Sequence, residues 1–197
     1  MESTSRTWAL SKLDTRQFVV LAFLMAIDMA LNKFTVGTNV LQVSFSFVAM
    51  SLIAKWYGPL WSMLIAAVLD VVNITIVNPG VFFIGFTLTA VVSTLIYALA
   101  YYRQDHTSLW RIIVAVGLVL LITNIVMNTA WLVIMYHTAH DWPSLVAFTI
   151  PRIIKNLIMY PIQVAITYFF LNNQVVRRTT KTIFSYTASA VFFESRL

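Results

Sequence analysis

Apolar residues run through the chain in six long stretches, 17–34, 40–54, 59–77, 81–102, 109–136 and 148–171, separated by short polar or turn-forming connections. A helix rises about 1.5 Å per residue, so about 20 apolar residues are needed to cross a hydrocarbon core about 30 Å thick. The pattern therefore predicts six transmembrane helices. The second is short for a full crossing, and the fifth is long enough to need tilt or an extramembrane turn. Gly58-Pro59 and Asn78-Pro79-Gly80 supply tight turns between neighbours. Ten-residue runs of strict polar and apolar alternation are absent, which argues against an outer-membrane barrel. Residues 1–17 are polar and mixed in charge, and no A-x-A-like site ends the apolar run that follows. The first stretch is accordingly expected to be a span rather than a cleavable signal.

Composition narrows the class. Of 197 residues, 60% are hydrophobic and only 10% charged, and there is no cysteine. A soluble globule, intrinsic disorder, a disulfide framework, zinc-thiolate chemistry and a cysteine nucleophile are all excluded. The expectation is an all-α membrane protein with one integral domain over 1–197, its core at 17–171, between a polar N-terminal segment 1–16 and a basic tail 174–197. That tail turns aromatic and apolar over 182–193, which suits it either to lie on an anionic leaflet or to be disordered.

Charge supplies the orientation. Six spans put both termini on one side, and ten of the 13 cations fall there: Arg6, Lys12, Arg16, Lys55, Arg103, Arg111, Arg177, Arg178, Lys181 and Arg196. The positive-inside rule makes that side, with both termini, cytoplasmic. Most of the net charge of +6 is then orientation, and no nucleic-acid partner is expected. Lys33, Arg152 and Lys155 lie near the opposite face and topology does not explain them.

Ionisable groups inside a span cost at least about 2.5–3.5 kcal/mol at mid-membrane, so each one prompts a functional question. In the sixth span Arg152, Asn156 and Gln163 fall within about 40° of one another, with Lys155 about 60° to one side. Pro151 suits a first helical turn, whose free N–H groups would add to the attraction of Arg152 and Lys155 for a carboxylate. The alternatives are that the two cations snorkel to lipid phosphates or pair with Asp70. Asn124, Asn128 and Trp131 follow i, i+4, i+7 spacing in the fifth span; two amides and an indole on one face serve equally to contact a ligand or to tie helices together. Asp70, with Asn73 one turn further out, could accept two parallel hydrogen bonds from an amidine-like edge or neutralise Arg152 or Lys155. Asp28 and Asn32 form a further i, i+4 pair, read as structural. Ala22, Ala26 and Ala30 form a small-xxx-small stripe that lets another helix approach, within the chain or from a partner. His137, His140 and Asp141 lack a fourth ligand, so no metal site is expected. Phosphate-loop, zinc-protease and nucleophile-elbow motifs are missing, so ATP or peptide hydrolysis by this chain is not expected.

Four stretches carry a resemblance: Ser44-Phe-Ser-Phe47; Asn78-Pro-Gly-Val-Phe-Phe-Ile-Gly-Phe-Thr-Leu-Thr-Ala90; Asn124-Ile-Val-Met-Asn128-Thr-Ala-Trp131; and Pro151-Arg-Ile-Ile-Lys-Asn-Leu-Ile-Met-Tyr-Pro-Ile-Gln163. In this order they resemble the folate-type substrate-binding subunits (S components) of energy-coupling factor (ECF) vitamin transporters, six-span proteins of the bacterial plasma membrane. The resemblance covers residues 17–171. It implies capture of a carboxylate vitamin, most readily folate, at the extracellular face. Uptake is then driven by a separate module of a membrane scaffold subunit (T component) and two ATPase subunits, with no cofactor in this chain. It further implies that Arg152 and Lys155 hold carboxylate, that Asn124, Asn128, Asn156 and Trp131 contact the rest, that Asp70 reads a pterin edge, and that Ala22, Ala26 and Ala30 dock on the scaffold. The connection 35–42 would close the site. Gln42 stands where the family pattern has an arginine, and Leu69, Val71, Val72 and Asn73 around Asp70, with Thr94 and Ala98 in the fourth span, stand where it has glycines. One fewer cation and bulkier walls would suit a smaller ligand, which keeps pantothenate as the alternative. A stand-alone secondary transporter and an intramembrane enzyme using Asp28 and Asp70 are more distant alternatives.

Overall fold

The computed structural model describes residues 12–34, 36–37, 42–77, 79, 82–104, 106–136 and 142–184. Arg6, Arg196, the His137–His140–Asp141 group and most of the connection 35–42 lie outside them. Helix α1 (Thr15–Lys33) opens on a capping box: Asp14 accepts from the Thr15 N–H at 2.8 Å, and Gln17 accepts from the Asp14 N–H at 3.1 Å. A short antiparallel ribbon follows, β1 (Val36–Gly37) against β2 (Gln42–Val43), with Val36 opposite Val43. The second span expected at 40–54 therefore begins later. Gln42 and Val43 are strand, and Ser44 accepts the Ser46 N–H at 3.2 Å in a local turn that delays the helix to Phe47.

Helical backbone then runs over Phe47–Val72 with a single break at Gly58, whose φ of 77° and ψ of 178° are open only to glycine. Ser62 donates to the Ile53 carbonyl at 3.2 Å across nine residues. An unbroken helix would hold those positions about 13 Å apart, so the chain folds back into two helices, α2 (47–57) and α3 (59–77). The last turn of α3, Asn73–Val77, is π-helical. Then come α4 (Ile84–Tyr101), α5 (Leu109–Leu118, π-helical over Val119–Met127, then Asn128–Tyr136), α6 (Trp142–Leu171) and a short α7 (Gln174–Thr179 with a π turn Thr180–Phe184). Among the described residues five helices are long and apolar enough to cross a membrane, Phe47–Val77 counted as one; the break at Gly58 divides that one in two, so the bundle has six helices, of which α2 is shorter than a full crossing. The protein is thus the all-helical bundle expected, with α2, about 16 Å long, the short member.

Inward positions of the helices close on Ile53, Tyr57, Ile65, Tyr97, Tyr101, Ile112 and Val116, with Tyr97 stacked on Tyr101 at 5.6 Å. Leu99, Trp110, Leu121, Val126, Leu157 and Ile158 point outward, as lipid-facing positions must. At one end of the bundle the connections are bound together. Tyr57 donates to the Gln17 carbonyl at 2.6 Å, Trp56 Nε1 to Thr180 at 2.8 Å and Gln17 Nε2 to the Ile183 carbonyl at 3.4 Å. Phe184 stacks on Trp56 and meets Tyr57 edge-on, each at 5.4 Å. Residues 174–184, the described part of the basic tail, are a helix held against the start of α1. The two ends of the described chain meet on one side, as an even number of crossings requires.

Lys55 departs from its assignment to topology. It is only 2% exposed and donates to the Leu171 carbonyl at 3.0 Å and to Thr107 Oγ1 at 3.3 Å. It caps the C-terminus of α6, where an ammonium also meets the negative end of the helix dipole. Asn172 completes the knot, accepting from the Thr107 N–H and donating to its carbonyl, both at 3.0 Å.

Gly58 is the tightest point of this end, since a Cβ there would stand 2.8 Å from the Tyr102 ring. Gly58→Ala should destabilise the protein by about 1–3 kcal/mol through backbone strain alone. Thermal unfolding in detergent would measure it, and an unchanged midpoint would refute the strained corner.

Candidate functional site

The opposite end of the bundle gathers the polar residues that topology leaves over. Lys33 is exposed and donates to the Val77 carbonyl at 3.0 Å, capping α3 and taking no inward position. Asp28 is buried and accepts from Asn32 at 3.0 Å; Ser44 donates to the Asn32 Oδ1 at 3.2 Å. The Asp28–Asn32 pair is thereby a structural tie between α1 and the segment that follows the ribbon.

Asp70 is half-buried on α3 and accepts from the Thr87 hydroxyl of α4 at 2.6 Å. Two residues on, Thr89 accepts from the Trp131 indole N–H of α5 at 3.0 Å. Thr87 and Thr89 lie about 160° apart around the helix, so Asp70 and Trp131 flank α4 at nearly the same depth. Phe86 falls between those two directions and packs edge-on against Phe83 at 5.7 Å. Thr87, Thr89 and the Phe83–Phe86 pair were not picked out from sequence, although the quoted motif 78–90 contains all four.

Asn124 lies in the π-helical part of α5, where the wider turn alters the spacing expected of an α-helix. Asn128 still reaches it, donating to Asn124 Oδ1 at 3.4 Å, and both are half-buried. The two amides therefore share a face as expected. Trp131 joins them at half-burial, but its N–H is already engaged.

Helix α6 brings its polar stripe inward. Arg152 is 5% exposed and Asn156 3%, Lys155 and Gln163 are half-buried, and Ile153, Ile154, Leu157 and Ile158 take the outer face. Both amide atoms of Asn156 are buried without a hydrogen-bond partner among the described residues. A buried amide with no partner costs about 1–3 kcal/mol, so a ligand that supplies one recovers that free energy on binding. One expectation fails. Pro151 does not start the helix: α6 begins at Trp142, so Pro151 stands nine residues inside it. Pro143 takes the place in the first turn where a missing N–H costs nothing. No row of free N–H groups therefore stands beside Arg152, and attraction of an anion has to come from the cationic side chains themselves.

Of the bulky positions read as walls of a smaller site, Leu69, Val71 and Val72 flank Asp70, while Thr94 and Ala98 lie deeper along α4. Leu69, Thr94 and Ala98 are buried in helix contacts, and Thr94 is about 10 Å deeper along α4 than Thr87. Gln42 pairs through its backbone opposite Gly37, and its side chain is outside the described part. His106 is exposed, and no group of three metal-ligating side chains occurs among the described residues. Ala22, Ala26 and Ala30 all face outward from α1, so the stripe is not consumed in packing within the chain.

The chain is similar to known proteins along most of its length. The family described as ECF transporter, substrate-specific component, matches residues 16–171. A folate transporter, FolT, of Leuconostoc mesenteroides is 71% identical over 185 residues, 94% of this chain and 100% of that protein. The folate transporter FolT of Clostridium novyi is 29% identical over 151 residues, covering 76% of this chain and 84% of its own. A crystal structure of FolT bound with folic acid superposes with a TM-score of 0.73 at 34% identity, over 79% of this chain and 92% of that one.

Proposed function

The chain belongs to the substrate-specific components of ECF transporters, and we propose that within this family it is the folate-binding subunit. It is a multi-pass protein of the bacterial plasma membrane, and its family is one of transport components rather than enzymes. The observation that carries folate over pantothenate is the 71% identity to a folate transporter along that protein's whole length. The burial of Thr94 and Ala98 supports it, because these positions fill helix contacts and do not narrow the outer end.

In this reading Arg152 and Lys155 hold a carboxylate of the vitamin, and Asn156, Asn124 and Asn128 supply amides to its polar atoms. Trp131 meets its flat ring and Asp70 accepts from the amidine-like edge of the pterin, with Gln42 nearby on the ribbon. The exposed cations Lys12, Arg16, Arg103, Arg111, Arg177, Arg178 and Lys181 gather at the knotted end, which supports a cytoplasmic position for both termini. The polar cluster then opens outward. Ala22, Ala26 and Ala30 dock on the T component, and ATP is hydrolysed by the two ATPase subunits of the module.

Equilibrium binding to the purified subunit tests the ligand. Folate should bind far more tightly than pantothenate, and Arg152→Ala and Lys155→Ala should each weaken folate about 10- to 100-fold, the size of a charge-assisted hydrogen bond. Unchanged affinity in both variants would refute the anion role, and tighter binding of pantothenate would refute the ligand. Docking is tested separately by Ala26→Leu, which should keep folate affinity while lowering folate uptake by the complete transporter at least about tenfold, because a bulky side chain prevents close helix approach. Normal uptake would place the docking face elsewhere.

A further inference from the structure

Trp131 reaches the polar cluster with its orientation already set by α4. Its Nε1 donates to the Thr89 hydroxyl at 3.0 Å, and that hydroxyl donates in turn to the Gly85 carbonyl one turn back, also at 3.0 Å. A threonine hydroxyl has one proton and two lone pairs, so donation to Gly85 leaves it free to accept from the indole. Thr89 is buried, and no bulk water competes for the bond. Gly85 provides the clearance, since a Cβ there would fall 2.6 Å from Trp131 Cδ2 and would also collide with the Phe83 ring. Phe83 then sets the tilt from the other side, its centroid 5.9 Å from the indole at 57°.

The consequence is chemical. An indole can donate one hydrogen bond, and here that bond is used inside the protein, so what remains for a ligand is ring surface. Ring surface selects a flat aromatic partner by offset or edge-on packing rather than an acceptor atom. We propose that Thr89 and Gly85 are positioning residues for substrate recognition: Gly85 admits the Trp131 indole against α4, and Thr89 holds its N–H away from the site, so that the ring meets the flat bicyclic part of the vitamin. This rests on the reading that Trp131 contacts the ligand.

Thr89→Val keeps the shape and removes the acceptor, Thr89→Ser restores it, and Trp131→Phe removes the group being positioned. Folate affinity should fall about tenfold in Thr89→Val, return to within about threefold of the parent in Thr89→Ser, and fall no further when Thr89→Val is added to Trp131→Phe. Affinity unchanged in Thr89→Val, or a loss of the same size in the Trp131→Phe background, would overturn the inference, because Thr89 would then not act through the indole. Unchanged affinity in Trp131→Phe would instead remove Trp131 from the proposed site, and the inference with it. Failure of the unsubstituted protein to bind folate would sink the preceding functional reading alone. The ligand-free protein still tests the clasp: the Trp131 emission, taken as the difference between spectra with and without Trp131→Phe, should shift in Thr89→Val and stay put in Thr89→Ser. An unshifted spectrum in Thr89→Val overturns it.

Discussion

Lipid offers no hydrogen bonds, so every backbone group freed where a helix breaks or ends must find a partner within the protein. That constraint organises both ends of this bundle. At one end Lys55 is drawn out of the headgroup region to cap the carbonyl of Leu171, and Asn172 engages both backbone groups of Thr107. At the other, Lys33 caps Val77. The reversal at Gly58 obeys the same rule, since the Arg103 N–H reaches the Lys55 carbonyl in the last turn before the break at 3.4 Å, and Ser62 adds a bond to the carbonyl of Ile53. Lys55, which a hydropathy reading assigns to orientation, and Lys33, which topology leaves over, are both spent on carbonyls.

With the backbone satisfied, side-chain hydrogen bonds between helices become available to shape the interior. Helix α4 shows how. Thr87 fastens it to α3 through Asp70, Thr89 fastens it to α5 through Trp131, and the two hydroxyls point to opposite sides because they are two residues apart. The ring of Phe86 falls between them. The π-helical part of α5 widens the neighbouring helix at the same level, and Asn128 still reaches Asn124 across it. Helices that share no hydrophobic driving force in lipid are held here by specific polar contacts, which also fix where aromatic and amide groups stand.

Helix number, the short second helix and the sorting of polar from lipid-facing positions were legible because length and periodicity respond directly to bilayer thickness. The shared face of Arg152 and Asn156 followed from 100° per residue, and burial shows that this face points inward. What was not legible depended on partners distant in sequence. Lys55 could not be told from a topogenic lysine without Leu171, 116 residues away. Pro151 looked like a helix start because a proline is tolerated there, yet Pro143 fits that role and transmembrane helices accept interior prolines. Thr87 and Thr89 carry no charge, and a hydroxyl in an apolar run declares itself only when its acceptor or donor is seen across the helix gap. The inference of narrower walls from Thr94 and Ala98 failed for a related reason: sequence gives the size of a side chain but not its depth.

The uses of charge bear on the site itself. A chain with only 10% charged residues has few to distribute, and most of its described cations now have a stated physical role. Lys12, Arg16, Arg103, Arg111, Arg177, Arg178 and Lys181 are exposed at the knotted end, where interfacial charge sets orientation. Lys33 and Lys55 serve helix termini. Arg152 and Lys155 differ from both groups, because they stand inside α6 well away from its ends and on its inward side. Two like charges one turn apart also repel, which disfavours the pair in the empty protein. On the proposed reading a carboxylate-bearing ligand would relieve that repulsion on binding, so the proximity that is costly without it would become a source of affinity.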